Sequence, residues 1–138
     1  MIPPVDAVLD TSVLVAGLRS NRGASFQILR AGDIRIAVSV ALVLEYESVV
    51  LRPGLIPHFT ADELRRIVDG LCQLADHQQV FFAWRPFLPD PDDDLVLELA
   101  VAASAAFVIT HNTSDFRGSE SMGVRAITPA TSLDIIRP

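Results

Sequence analysis

The chain has no lysine: all 11 of its Lys-plus-Arg positions are arginine. Every mechanism that needs a side-chain amine is thereby removed. Schiff-base chemistry, a phosphate-loop lysine and a receiver-type phosphorylation switch that uses a lysine all lack that residue. What remains is arginine, whose planar fork grips phosphate through two parallel hydrogen bonds. Cysteine is nearly absent as well. With Cys72 alone among 138 residues no internal disulfide can form, which fits a reducing compartment. No apolar run approaches the ~18 residues of a membrane-spanning helix, so no membrane association is expected. The opening Met1-Ile2-Pro3-Pro4 lacks the basic-then-apolar form of a secretory signal, and the expected location is the cytoplasm.

Positive charge is also scarce. Seventeen acidic residues stand against 11 basic ones, for a net charge of −6 and a pI near 4.8. That excludes a protein that binds nucleic acid over its whole surface. An acidic active site with a local basic rim is still allowed. Apolar residues make up 50% of the chain, ample for a core. Its 138 residues fit one domain, 1–138, with no internal repeat, low-complexity segment or linker. The apolar excess predicts a covered subunit or partner surface, and so a homodimer.

Apolar runs alternate with amphipathic ones. Residues 5–9 read as a short buried strand, followed by a helix from Thr11 whose amides Ser12 could cap. A short helix is predicted over 24–31, a strand over 34–38, and a helix capped by Ser39 to about residue 51. Thr60 and Glu63 have capping-box spacing and open a helix to about residue 75. A third strand is expected over 79–84, a helix over 93–104, and strands over 106–110 and 124–127. Thr128 then caps a last helix, with Pro129 at its first position. The pattern predicts an α/β fold: a mostly parallel central sheet of four to five strands with helices on both faces.

In such sheets ligands bind beyond the carboxyl ends of the strands, where strand order reverses. Four acids are expected at that edge: Asp10 after the first strand, Glu45 in the helix after the second, Asp94 at a helix start, and Asp115 after the fourth. Gathered carboxylates repel one another, and a divalent cation with oxygen ligands is the economical partner. Each acid also has a plainer reading. Asp10 could cap the helix after it, and Glu47 competes with Glu45 for the inward position. Asp92, Asp93 and Asp94 are all cap-forming types, with Asp93 the rival of Asp94. Asp115 could be a turn residue. His58 and His77 read as solvent-facing, and one histidine, His111, among carboxylates does not make a zinc site. Cys72, Phe81, Phe82 and Trp84 read as packing residues. Arg19, Arg22, Arg52 and Arg85 are candidates for touching phosphate, or ordinary solubilising charges.

Asp10-Thr11-Ser12-Val13-Leu14-Val15 resembles the opening motif of the PIN-domain family. Asp90-Pro91-Asp92-Asp93-Asp94 with Leu97-Glu98-Leu99-Ala100 is similar to its middle motif in toxin-type members. Thr110-His111-Asn112-Thr113-Ser114-Asp115-Phe116 resembles the final acidic motif, and Ile127-Thr128-Pro129-Ala130 the end. The resemblance implies a metal-dependent endoribonuclease, VapC-like, acting as the toxin of a toxin–antitoxin pair. Its partners would be an RNA substrate, a cognate antitoxin that presents a basic side chain to the acidic pocket, and a second copy of the chain.

By the same resemblance Asp10, Glu45, Asp94 and Asp115 would hold one or two Mg²⁺ or Mn²⁺ ions. Ser12, Thr110 and Asn112 would support them. Many relatives have aspartate at the position of Asn112, so one charge is missing here. The implied reaction is hydrolysis of an RNA phosphodiester by metal-activated water. The alternative is a PIN-fold binding protein that has lost catalysis. A phosphotransferase of haloacid-dehalogenase type ranks lower, because Asp10-Thr11-Ser12 lacks a second aspartate two residues on.

Overall fold

The computed structural model describes residues 4–80 and 87–137. Strand β1 (Val5–Leu9) leads into α1 (Thr11–Arg19) and α2 (Ala24–Arg30). Then come β2 (Ile34–Val38), α3 (Val40–Val50), α4 (Ala61–Leu74) and a short β3 (Asp76–His77). Next are α5 (Pro91–Ala102), β4 (Phe107–Ile109), two 3-10 turns (Thr113–Phe116 and Ser119–Met122), β5 (Arg125–Ile127) and α6 (Pro129–Ile136). The five strands pair in parallel in the order β3-β2-β1-β4-β5. The chain winds outward from β1 to β3, then returns to β4 on the other side of β1. Strand order therefore reverses between β1 and β4, and their carboxyl ends frame the place where such sheets bind ligands.

Successive strand residues point to opposite faces, and β1 shows what that builds. Ala7 and Leu9 pack with Val13 of α1, Ile28 of α2 and Leu133 of α6. Val8 packs on the other side with Leu42 and Tyr46 of α3, Val68 of α4 and Ala100 of α5. All three β1 residues are fully buried, which is why the strand reads as a continuous apolar run. Helices cover both faces of the sheet, as predicted.

The helix starts follow from local chemistry. Ser39 Oγ accepts from the Leu42 amide at 3.2 Å, and Thr128 Oγ1 accepts from the Thr131 amide at 3.1 Å. Thr60 and Glu63 form both halves of the capping box. Helix α5 begins two residues before its predicted start, with Pro91 in its first turn and Asp90 Oδ1 accepting from the Asp92 amide at 2.9 Å.

The third strand lies elsewhere than predicted. Asp76 and His77 pair with Ala37 and Val38, and the Gln78 amide carries the ladder on to the Val38 carbonyl at 2.9 Å. Both β3 residues are exposed and polar, so an edge strand here leaves no hydropathy signal. Gln79 and Val80 are not in a strand. The rest of the predicted segment, with Phe81, Phe82, Trp84 and Arg85, lies outside the described residues. Among the described residues no helix is long and apolar enough to cross a membrane.

Candidate active site

Asp10 stands where β1 turns into α1. Its amide donates to the Ile109 carbonyl at 2.9 Å, and its carbonyl accepts from the Val13 amide at 3.0 Å. The backbone thus closes the helix end, and the carboxylate makes no cap bond. Instead Asp10 is buried, and its Oδ2 accepts from Thr110 Oγ1 at 2.6 Å and Ser12 Oγ at 3.0 Å. Thr110 follows β4 as Asp10 follows β1, so this bond spans the point where strand order reverses. Thr110 Oγ1 also accepts from the Asn112 amide at 3.0 Å. Ser12, expected to cap α1, accepts instead from the His111 amide at 3.4 Å. The outgoing β4 loop is thereby tied to the start of α1.

Helix α3 brings Glu45 to the same place. Its carboxylate accepts from the Thr11 hydroxyl. The next residue, Tyr46, is fully buried, and its hydroxyl donates to the Leu9 carbonyl. Two consecutive α3 residues therefore grip the two residues that flank Asp10. Neither Thr11 nor Tyr46 was singled out from the sequence. The tyrosine hydroxyl sits in an apolar run, and Thr11 reads as an ordinary helix starter.

Asp10, Glu45 and Asp115 line one cleft of about 830 Å³. Ser12 and Asn112 line it as well, and so do Arg19 and Arg52. Asp94 does not. It is buried, with Oδ1 accepting from the Leu88 amide at 2.9 Å and Oδ2 from the Phe87 amide at 3.3 Å. Its neighbour Asp93 lines the cleft, with Asp90 and Asp92 beside it. One helical step turns a side chain by about 100°, enough to exchange the two roles. Glu47 and Arg22 are not among the lining residues. His111 is engaged elsewhere, its Nε2 lying 2.6 Å from the hydroxyl of Ser25, a buried α2 residue.

Crowded like charge shows in the acidities. Burial pushes the Asp93 carboxyl up to about 7, and the charges of Asp10, Asp90, Asp115 and Asp92 add to the rise. Glu45 is also raised, chiefly by burial and further by Asp92, Asp10 and Asp90, against the lowering effect of its Thr11 bond. Burial lifts the Tyr46 hydroxyl well above its usual range, with Asp10 and Glu45 adding to it.

Six carboxylates, the hydroxyl residues Thr11, Ser12 and Ser48 and an asparagine amide line this cleft, and no cysteine or histidine does. That donor set suits a hard divalent cation such as Mg²⁺ or Mn²⁺. Among the described residues, no three or more His, Cys, Asp or Glu side chains are so arranged that they could hold a metal ion. The carboxylates surround the cleft rather than converge on one point. Their chemistry fits such an ion, and a cation there would offset the burial and the like charge that together lift Asp93.

Fold and site together define an α/β protein with a carboxylate-lined cleft at the switch point of a parallel sheet. The family model for the PIN domain matches residues 6–114, and the chain belongs to that family. Asp115 falls one residue beyond the matched segment. Among solved structures, a chain in the crystal structure of VapBC2 from Rickettsia felis, bound to a DNA fragment from its promoter, is similar to this one. The two share 13% identity over 90% of this chain and 98% of that one, with a TM-score of 0.59. The likeness is one of fold. Comparison with curated proteins gives no match.

Proposed function

We propose that this protein is a metal-dependent endoribonuclease of VapC type, the toxin of a toxin–antitoxin pair that acts in the cytoplasm. The observation that carries the reading is the gathering of Asp10, Glu45, Asp93 and Asp115 around one cleft at the switch point of a PIN fold. In this reading Asp93 takes the role that the sequence pattern gave to Asp94. These four would hold one or two Mg²⁺ or Mn²⁺ ions, with Asn112 as a neutral oxygen donor. The chemistry such an ion supplies when bound is Lewis acidity toward water and phosphate oxygen. Thr110 and Ser12 hold Asp10 in place, and Thr11 holds Glu45.

A cognate antitoxin is the expected partner; the similar VapBC2 structure supports that by analogy of fold only. A homodimer is the expected assembly, supported by Val40 and Leu44, exposed on one face of α3. Sedimentation of a monomer at micromolar concentration would remove it.

The deciding experiment is RNA cleavage with Mn²⁺ by the wild type, Asp10→Asn and Asp93→Asn. Cleavage by the wild type and its loss in both variants is expected; equal behaviour of all three proteins defeats the reading. The neutral Asn112 and the absence of a converged carboxylate trio among the described residues favour a second reading, a PIN-fold binding protein without catalysis. Mn²⁺ titration by calorimetry separates the two, because the binding protein should take up no metal.

A further inference from the structure

Two arginines stand in the acidic cleft, Arg19 in the last turn of α1 and Arg52 just past the end of α3. Along α1 the lining residues include Ser12, Val15 and Arg19; along α3 and just past its end they include Glu45, Val49 and Arg52. Each series advances by three or four residues and then to the seventh, so each follows one helix face. Ser12 touches Asp10, so both series start at the carboxylates and reach an arginine two turns later. Along a helix that is about 10 Å.

Neither arginine is spent on the protein. Elsewhere Arg35 pairs with Asp6, Arg65 pairs with Asp62 and Arg30 lies over the Phe26 ring. Among the described residues the side chains of Arg19 and Arg52 form no hydrogen bond, ion pair or ring contact, although six carboxylates line the same cleft. The side chains of Arg22, Arg117 and Arg125 are unpaired too, but they do not line the cleft. A cation near a helix end gains from the dipole by about 0.3–1 kcal/mol. That accounts for a basic residue at a helix end, not for two of them facing one cleft.

We propose that Arg19 and Arg52 hold backbone phosphates next to the one placed at the carboxylates. The ligand is then a single nucleic-acid strand with at least two consecutive phosphodiesters, gripped without regard to base. This rests on the nuclease reading for the strand being cut, but its own test is binding. A guanidinium matches phosphate with two parallel bonds, and the two arginines restore local positive charge that the chain as a whole lacks.

The test uses a labelled single-stranded RNA oligonucleotide, the Asp10→Asn protein to prevent cutting, Mn²⁺, and a KCl series read by fluorescence anisotropy. Arg19→Ala and Arg52→Ala, each added to that protein, should lower the slope of log K against log salt by about 0.7. Arg65→Ala should change nothing. Arg19→Lys should restore the slope, which ties the loss to the charge, and an unchanged melting temperature shows that the alanine variants are folded. Binding of a dinucleotide with one phosphate should be indifferent to both alanine changes. Unaltered slopes, or an equal loss on the dinucleotide, overturn the proposal. Altered slopes without any cleavage by the wild type leave the phosphate grip standing and remove the nuclease; cleavage with unaltered slopes does the reverse.

Discussion

The Tyr46 hydroxyl donates to the carbonyl of Leu9, 37 positions earlier in the chain and one before Asp10. Glu45 meanwhile takes the hydroxyl of Thr11, on the other side of Asp10. Helix α3 is thus fixed at the height of the β1 terminus by a bond that involves neither cleft carboxylate directly. Tyr46→Phe keeps the buried ring and deletes one donor. It should destabilise the protein by about 1–3 kcal/mol, the usual cost of leaving a buried group unpaired, read by urea unfolding. RNA cleavage should fall in kcat more than in KM, because the spacing of Asp10 and Glu45 relaxes while the arginines remain. An unchanged kcat with lowered stability would make Tyr46 a packing residue only.

Asp93 and Asp94 make opposite predictions although they are adjacent. Asp94 is a buried anion that serves the Phe87 and Leu88 amides. Asp94→Asn should cost about 1–3 kcal/mol in folding stability, since bonds to charged groups are the stronger kind. Asp93→Asn removes a charge from a crowd of like charges. It should raise the melting temperature of metal-free protein and abolish Mn²⁺-dependent cleavage. Thermal melts of both variants, run beside a cleavage assay, decide the matter. Loss of activity in Asp94→Asn at unchanged stability would return the role to Asp94.

That pair also marks how far the sequence could be read. Asp10 was legible because a strand that ends on an acid at the start of a helix fixes where the acid lies, whatever the side chain does next. Thr110, just after β4, was singled out only by the resemblance of its motif. The choice among Asp92, Asp93 and Asp94 was not legible. It depends on the rotation of α5, set by Pro91 and the Asp90 cap and by two amides that arrive from residues 87 and 88. Nothing in the local pattern announces amides from a preceding loop. The edge strand escaped for another reason. Asp76 and His77 pair by backbone alone, and an exposed polar pair carries no periodicity to detect.

The pH dependence follows from Asp93 and Glu45. Folding raises the Asp93 value from 3.8 to about 7, so the folded state holds more protons between those limits. The stability this contributes is complete below about pH 3.8 and is lost as pH rises through about 7. Glu45 is shifted the same way. Metal-free wild type should therefore melt lower at about pH 8 than at about pH 5, and Asp93→Asn should flatten that difference. Mn²⁺ affinity should move oppositely, tightening with pH as the carboxyls give up their protons. A wild-type melting profile that the Asp93→Asn change leaves untouched would show that Asp93 does not titrate there.

In the proposed reading Thr110 would act on a metal only through Asp10. Its hydroxyl lies 2.6 Å from Asp10 Oδ2 and is wholly buried, so Thr110→Val keeps the shape and removes the bond. Partners of metal-binding groups are typically worth about 10–100-fold in metal affinity or activity, and a loss of that size is expected in a Mn²⁺ titration. Stability gives a second readout. Ion binding adds RT ln(1 + [L]/Kd) to folding, about 2.7 kcal/mol at a hundredfold excess over Kd. Wild type should therefore gain melting temperature with Mn²⁺ and lose that gain with a chelator. Thr110→Val should need correspondingly more Mn²⁺ for the same gain. If the valine variant is less stable without metal yet shows an unaltered Mn²⁺ midpoint, the Thr110–Asp10 bond serves the fold and not the ion.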